Sequence, residues 1–231
     1  WDKKQTLDSL RHLTIEEVYE LSESIQNKNY DEIKKELGDV LLHVVFYSII
    51  ASEKNKFNFD EVVENLCKKL IDRHPHIYNN TRVSSEDDVK SNWEKIKLKE
   101  GKKSILSGVP KSLPTLIKSY RIQEKVSGIG FDWKQRKDVI SKIKEEINEL
   151  EVEVKKDTSN IEDEFGDLLF SLINYSRFLK INPDDALNKT NQKFINRFKK
   201  MENIILNDSK KIENLDFNDL NKYWLVAKKS S

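Results

Sequence analysis

The chain has 231 residues, 37% hydrophobic and 35% charged, enough apolar material for one large or two small cores. With 41 Lys+Arg against 40 Asp+Glu the formal charge is +1, which excludes the concentrated positive surface that nucleic acid or an anionic membrane selects. The single cysteine, Cys67, excludes an internal disulfide and a CxxC metal knuckle, and with no membrane-length apolar run and no secretory signal a cytoplasmic location is expected.

Glycine and proline are few and aliphatic residues recur every three or four positions, so the predicted fold is all-α. The chain begins at Trp1 rather than Met, and further residues are expected before it. In chain order, the pattern predicts a helix from about Thr6 to Gln26 and another from about Asp31 to Glu53. After the break "NKFNFD" a third runs from about Asp60 to Arg73 and stops near Pro75. A fourth is expected over "SSEDDVKSNWEKIKLKEG", capped by Ser84 or Ser85 and stopped at Gly101. The segment from Gly101 to Pro114 has weak periodicity and a cluster of chain-breaking residues, which makes it the domain boundary: 1–100, a linker 101–113, and 114–231. The second block then predicts helices from about Pro114 to Val126, Lys134 to Lys156, Ile161 to Lys180 and Pro183 to Asn207, and a short one around "DLNKYWLVAKK". Tyr120, Phe131 and Trp133, flanking the turn "SGIGFDW", are expected to seal the start of this block.

The two blocks are an internal repeat. "EEVYEL" at Glu16–Leu21 matches "EEINEL" at Glu145–Leu150, and "ELGDVLLHVVFY" at Glu36–Tyr47 matches "EFGDLLFSLINY" at Glu164–Tyr175. A later helix in each block carries Lys and Arg four apart, Lys69 and Arg73 in the first, Lys193 and Arg197 in the second. On a helical wheel Ile143, Ile147, Leu150 and Val154 form one stripe. Glu146, Glu149 and Glu153 flank it, and Glu145 lies nearly opposite. Phe165, Leu168 and Leu172 form the next stripe, flanked by Glu164 and Asp167. The first block repeats this with Val18, Leu21 and Ile25 beside Glu17 and Glu20, and with Leu37, Val40 and Val44 beside Glu36 and Asp39.

Antiparallel pairing of such helices gathers four carboxylates, and like charges at close range destabilise one another unless a cation neutralises them. An all-oxygen set calls for Mg²⁺, with Mn²⁺ as a substitute. Gly38 and Gly166 each cost about 1 kcal/mol inside a helix, which close helix approach or access to the metal would explain. Lys193 and Arg197, beside Phe194, Phe198 and Met201, are placed to face the same opening, and metal plus Lys and Arg suits a polyphosphate. No GxxxxGK[ST] or GxGxxG motif is present. The histidines and tryptophans are read first as structural. A lone EExxE is ordinary on a solvated helix; the weight here comes from both acid motifs recurring in order, each followed by a Lys/Arg pair. Two other readings stand beside this one. A non-catalytic nucleotide-binding or protein-interaction module would use the same acids. A diiron carboxylate bundle would supply Glu-x-x-His ligands, and neither acid motif has a histidine at that spacing.

Over essentially its whole length the chain closely resembles the two-block form of the MazG family of nucleoside triphosphate pyrophosphohydrolases. The motifs that carry the likeness are "WDKKQTLDSL", "EEVYEL", "ELGDVLLHVVF", "RHPHIY" and "NWEKIK" in the first half. In the second half they are "SGIGFDW", "EEINEL", "EFGDLLFSLINYSR", "NQKFINRF" and "YWLVAKK". The resemblance implies tandem MazG-like helical bundles completed by dimerisation into a homodimer. It also implies Mg²⁺-dependent cleavage of nucleoside triphosphates, across a broad substrate range, to monophosphate and pyrophosphate. It assigns metal binding to Glu145, Glu146, Glu149, Glu164 and Asp167, and substrate contact to Lys193, Arg197 and Trp224. The corresponding first-block positions are Glu16, Glu17, Glu20, Glu36, Asp39, Lys69 and Arg73.

Overall fold

The structure is a computed structural model that describes residues 2–78, 89, 96 and 104–229, and every described regular element is helical. The chain divides into two compact units, Trp1–Val89 and Lys90–Ser231. The helix expected over 84–101 lies outside the described residues apart from Val89 and Ile96, as do Trp1 and Trp93. No helix of the described residues is long and apolar enough to cross a membrane.

In the first unit a short 3₁₀ turn, Asp2–Lys4, precedes α1 (Leu7–Gln26), α2 (Tyr30–Glu53), α3 (Phe59–Arg73) and the single turn α4 (Pro75–Tyr78). Local chemistry sets the starts. Thr6 accepts from Ser9 N at 3.0 Å while Ser9 Oγ accepts from Thr6 N at 2.9 Å, so two amides that the helix leaves free at its start are satisfied. Asn58 and Glu61 make the same reciprocal pair at the head of α3, at 2.9 and 2.8 Å. The connection Asn27–Asn29 is too short to do anything but reverse the chain, so α1 and α2 pack as an antiparallel hairpin, with α3 against α2.

The second unit has a 3₁₀ turn at Ile105–Gly108, then α5 (Thr115–Ser127), α6 (Arg136–Lys156), α7 (Ile161–Phe178), α8 (Pro183–Asn207), a 3₁₀ turn at Ile212–Asn214, and α9 (Phe217–Lys229). The hairpin α6–α7 is the counterpart of α1–α2; α5 packs on α7 and α8, and α9 on α8. Met201, Ile205 and Ala227 form a buried cluster between α8 and α9, covered by Phe198, Leu220, Tyr223 and Trp224. Between α5 and α6, Gly130 adopts φ +89°, a left-handed conformation that favours glycine.

The structure corrects two parts of the packing pattern expected from periodicity. Val18, Ile25, Leu37, Ile147, Val154, Phe165 and Leu172, assigned to apolar stripes facing a core, are exposed. A two-helix hairpin buries only side chains near its line of contact, and a broad apolar face needs a further layer to cover it. Phe131 does not seal the second block: it is 76% exposed. The turn is held instead by Arg177, whose Nη2 donates to Asp132 Oδ2 at 2.5 Å and whose Nη1 donates to the Gln123 carbonyl at 3.3 Å.

Candidate functional site

Each hairpin brings acids from its two helices together. In the second domain Glu146 and Glu149, one turn apart on α6, meet Glu164 on α7, with one carboxylate oxygen from each inside a cluster no wider than 4.8 Å. In the first domain Glu17 and Glu20 on α1 meet Glu36 on α2 within the same limit. Oxygens that share one ion at about 2.1 Å stand at most about 4.2 Å apart. Small side-chain movements therefore suffice to close either cluster on a divalent cation, and an all-carboxylate donor set suits Mg²⁺ or Mn²⁺. Asp167 and Asp39, one helical turn further along, are not members of these clusters, so each cluster gathers three acids rather than the four expected. Asp167 is exposed and Asp39 half-buried.

The two clusters bury different members. Glu146 is 4% exposed in the second domain, and Glu36 is 2% exposed in the first. By the repeat, Glu146 corresponds to Glu17 and Glu36 to Glu164, so the deepest acid sits on opposite helices of the two hairpins. A lysine attends each: Lys142 Nζ lies 2.6 Å from Glu145 Oε1 and 2.9 Å from Glu146 Oε1, and Lys35 Nζ lies 2.9 Å from Glu36 Oε1. Neither lysine is in the acid motifs, and the residues at the matching positions are Leu13 and Asp163. Spacing three and four residues before Glu145 and Glu146 was the available signal for Lys142.

The electrostatics follow from this crowding. Hydrogen bonds to Glu145 and then Glu146 hold the Lys142 ammonium well above its usual range. Desolvation, then a hydrogen bond with Glu146, pushes the Glu149 carboxyl up. Desolvation, then the charges of Asp39 and Glu20, do the same to Glu17, with His43 opposing. Glu153 belongs to a different structure. Thr158 and Lys156 bond it, its carboxyl is lowered by them in that order, and it anchors the loop at the end of α6.

The remaining predicted residues are placed less directly. Glu145 is exposed and joins the cluster through Lys142. Lys193 is exposed and Arg197 half-buried on α8, and among the described residues no ion pair joins either to the acids. Arg197 Nε is buried and, among the described residues, has no hydrogen-bond partner. Trp224 packs against Phe194, next to Lys193 in sequence, with ring centroids 5.0 Å apart and the planes tilted by 41°. In the first domain Glu16 and Lys69 are exposed and Arg73 is half-buried.

Sequence reading missed one polar lock. Thr14 Oγ1 on α1 lies 2.8 Å from His43 Nδ1 and 2.5 Å from Tyr47 Oη on α2, and it also donates to the Leu10 carbonyl at 3.0 Å. The second domain has Ile143, Ser171 and Tyr175 at the matching positions. Its Tyr175 instead accepts from Arg136, at 2.9 and 2.7 Å.

Comparison with known proteins agrees with this double architecture. The MazG nucleotide pyrophosphohydrolase domain matches residues 5–78 and again 134–201, one match on each acid hairpin. Over 231 residues the chain is 47% identical to the nucleoside triphosphate pyrophosphohydrolase/pyrophosphatase MazG of Thermotoga maritima, covering 99% of this chain and 88% of that protein. It is 34% identical over 236 residues to the nucleoside triphosphate pyrophosphohydrolase of Escherichia coli K12, covering 99% of this chain and 90% of that one. It is 40% identical over 235 residues to YabN, an uncharacterized protein of Bacillus subtilis, which it matches along 48% of that protein's length. The chain therefore belongs to the MazG nucleotide pyrophosphohydrolase family, a family of nucleotide hydrolases, and carries the family's domain twice.

Proposed function

We propose that the second domain cleaves nucleoside triphosphates between the α and β phosphates, giving monophosphate and pyrophosphate over a broad substrate range. Mg²⁺ serves as cofactor, and Mn²⁺ is able to replace it. The observation that carries this reading is the convergence of Glu146, Glu149 and Glu164 from two helices into one cluster of carboxylate oxygens within 4.8 Å. Relatives named as nucleoside triphosphate pyrophosphohydrolases, similar along almost the whole chain, support the substrate class.

In this reading Glu146, Glu149, Glu164 and Asp167 hold the cation, with Glu145 beside them. A divalent cation there supplies an activated water and offsets charge on phosphate oxygens. The protein's own part is orientation and charge. Lys142 pairs with Glu146 at 2.9 Å and holds it in place, since a buried carboxylate without a counter-ion is strongly unfavourable. Lys193 and Arg197 donate to the departing pyrophosphate, and the unpartnered Nε of Arg197 is a donor in need of an acceptor. Trp224 fixes Phe194 and so the segment of α8 that carries Lys193.

The division into 1–100, 101–113 and 114–231 is retained as the functional boundary in this proposal. The exposed faces of α1, α2, α6 and α7 are proposed to be covered in a homodimer, which supplies the layer that each hairpin lacks.

Hydrolysis of a panel of triphosphates in heavy-oxygen water tests the reaction. The label is expected in the monophosphate, with pyrophosphate as co-product. Label in orthophosphate, with a diphosphate as co-product, would overturn it. Glu149→Ala and Asp167→Ala are each expected to lower the rate by about a hundredfold or more, with helicity by circular dichroism unchanged. No release of pyrophosphate by the intact chain would leave the non-catalytic nucleotide-binding reading in its place.

A further inference from the structure

Of the three acids in the second domain's cluster, Glu164 alone stands in the first turn of its helix. Its backbone N–H donates to the Asn160 carbonyl at 3.1 Å, a bond that opens α7. Helix ends fray, so a side chain there is only as fixed as the loop before it, and the charges of Glu146 and Glu149 push it away. What holds that loop is Glu153, one turn beyond Glu149 on α6, with a side chain 15% exposed. Its Oε2 accepts from Thr158 Oγ1 at 2.5 Å and from Asn160 Nδ2 at 3.5 Å, while Oε1 accepts from Lys156 Nζ at 3.2 Å. The Glu153 carbonyl also accepts from the Thr158 amide at 3.4 Å, and Thr158 Oγ1 in turn accepts from the Asn160 amide at 3.3 Å. Asparagine is a favoured N-cap, yet among the described residues the Asn160 side chain makes no capping bond to α7. It is turned to Glu153 instead.

The first domain makes the same reversal differently. Ser24, at the position matching Glu153, donates to the Glu20 carbonyl of its own helix at 2.8 Å. Asn29 caps α2 in the ordinary way, accepting from the Glu32 amide at 3.3 Å, and Glu36 stands in the second turn, clear of the loop. The carboxylate anchor thus occurs in the hairpin whose cluster acid sits at the helix end. We propose that Glu153 is a positioning residue of the second domain: by fixing Thr158 and Asn160 it sets where Glu164 stands against Glu146 and Glu149, and so sets the cluster's affinity for a divalent cation. Glu153 is not itself a ligand, because the loop and Lys156 engage both of its oxygens. The inference rests on the proposed reading that this cluster takes metal, and not on which phosphate bond is cleaved.

The test uses the full chain with Mn²⁺ alone as probe, its free concentration read by electron paramagnetic resonance, in a Glu17→Gln/Glu20→Gln background that removes the first domain's acids from the measurement. Glu153→Ala is expected to weaken Mn²⁺ binding by about tenfold. Thr158→Val, which removes the hydroxyl and keeps the shape, is expected to act in the same direction, and it decides the matter if Glu153→Ala does not fold. Glu153→Gln keeps an acceptor for Thr158 and is expected to recover most of the affinity. In hydrolysis the Mn²⁺ concentration for half-maximal rate is expected to rise in Glu153→Ala by the same factor as the dissociation constant, while kcat at saturating metal stays near that of the parent chain. A role confined to stability lowers the melting temperature and leaves the affinity of the folded chain alone, so unchanged Mn²⁺ binding in Glu153→Ala and Thr158→Val would overturn the proposal. Glu164→Gln separates this inference from the reading beneath it. If that variant loses Mn²⁺ while the Glu153 and Thr158 variants keep it, only this inference fails; if it binds Mn²⁺ as the parent does, both fail. A chain that releases no pyrophosphate but whose Mn²⁺ affinity still depends on Glu153 removes the proposed reaction and supports this inference.

Discussion

Lys142 Nζ lies 2.9 Å from Glu146 Oε1, one helical turn away on α6, and a side chain that is 33% exposed thereby neutralises one that is 6% exposed. The lysine occupies the electrostatic position that a metal ion would otherwise fill. Lys142→Met is therefore expected to destabilise the chain in chelator by about 1–3 kcal/mol, because it strands a buried charge. Added Mg²⁺ is expected to restore most of that loss. Urea unfolding with and without the ion checks it; an equal loss in both conditions would mean that Lys142 serves packing rather than charge.

The Glu149 carboxyl is raised above 4.5 by desolvation and by its hydrogen bond with Glu146. A raised folded-state value means that the native state binds its proton more tightly than the unfolded chain does. Its stabilising contribution is present below 4.5 and is lost as pH rises through the folded value. In chelator at pH 7, Glu149→Gln is thus expected to melt above wild type, and the gap is expected to close as pH falls toward 4.5. Thermal melts across that range decide the matter. A gap that widens on acidification has the wrong sign for this account.

The second domain carries the fuller set, with Lys193, Arg197 and Trp224 following its acids. Glu146→Ala/Glu149→Ala is expected to abolish pyrophosphate release, and Glu17→Ala/Glu20→Ala to reduce it far less. Initial rates need size-exclusion chromatography beside them, since first-domain changes can act through assembly. Equal, near-complete losses in two variants of unchanged size would place catalysis in both domains.

Gly166 and Gly130 are opposite cases. A Cβ built on Gly166 meets nothing within 4 Å, so close approach within the chain does not account for this glycine. Gly166→Ala is expected to stabilise by up to about 1 kcal/mol through helix propensity. Gly130→Ala, at φ +89°, is expected to destabilise by about 1–2 kcal/mol. Chemical denaturation midpoints measure both, and matching signs would contradict the backbone argument.

Much of the fold was legible because its causes are local. The helices expected at about 31–53 and 161–180 appear as Tyr30–Glu53 and Ile161–Phe178, set by 3.6-residue periodicity and by capping chemistry that acts over three or four residues. The meeting of acids from paired helices was also legible, since a short connection forces antiparallel contact and the repeat states the pairing twice. The depth of each acid was not. A helical wheel gives direction about a helix's own axis but not the roll of that helix against its neighbour. The packed hairpins decided that Glu146 is buried in one domain and Glu36 in the other. The same roll left Ile147 and Leu37 exposed, placed Lys142 and Lys35 on the buried carboxylates, and brought Thr14 to His43. Those contacts join residues whose types are common on any solvated or core-lining face, so their meaning exists only once two helices fix one another in space.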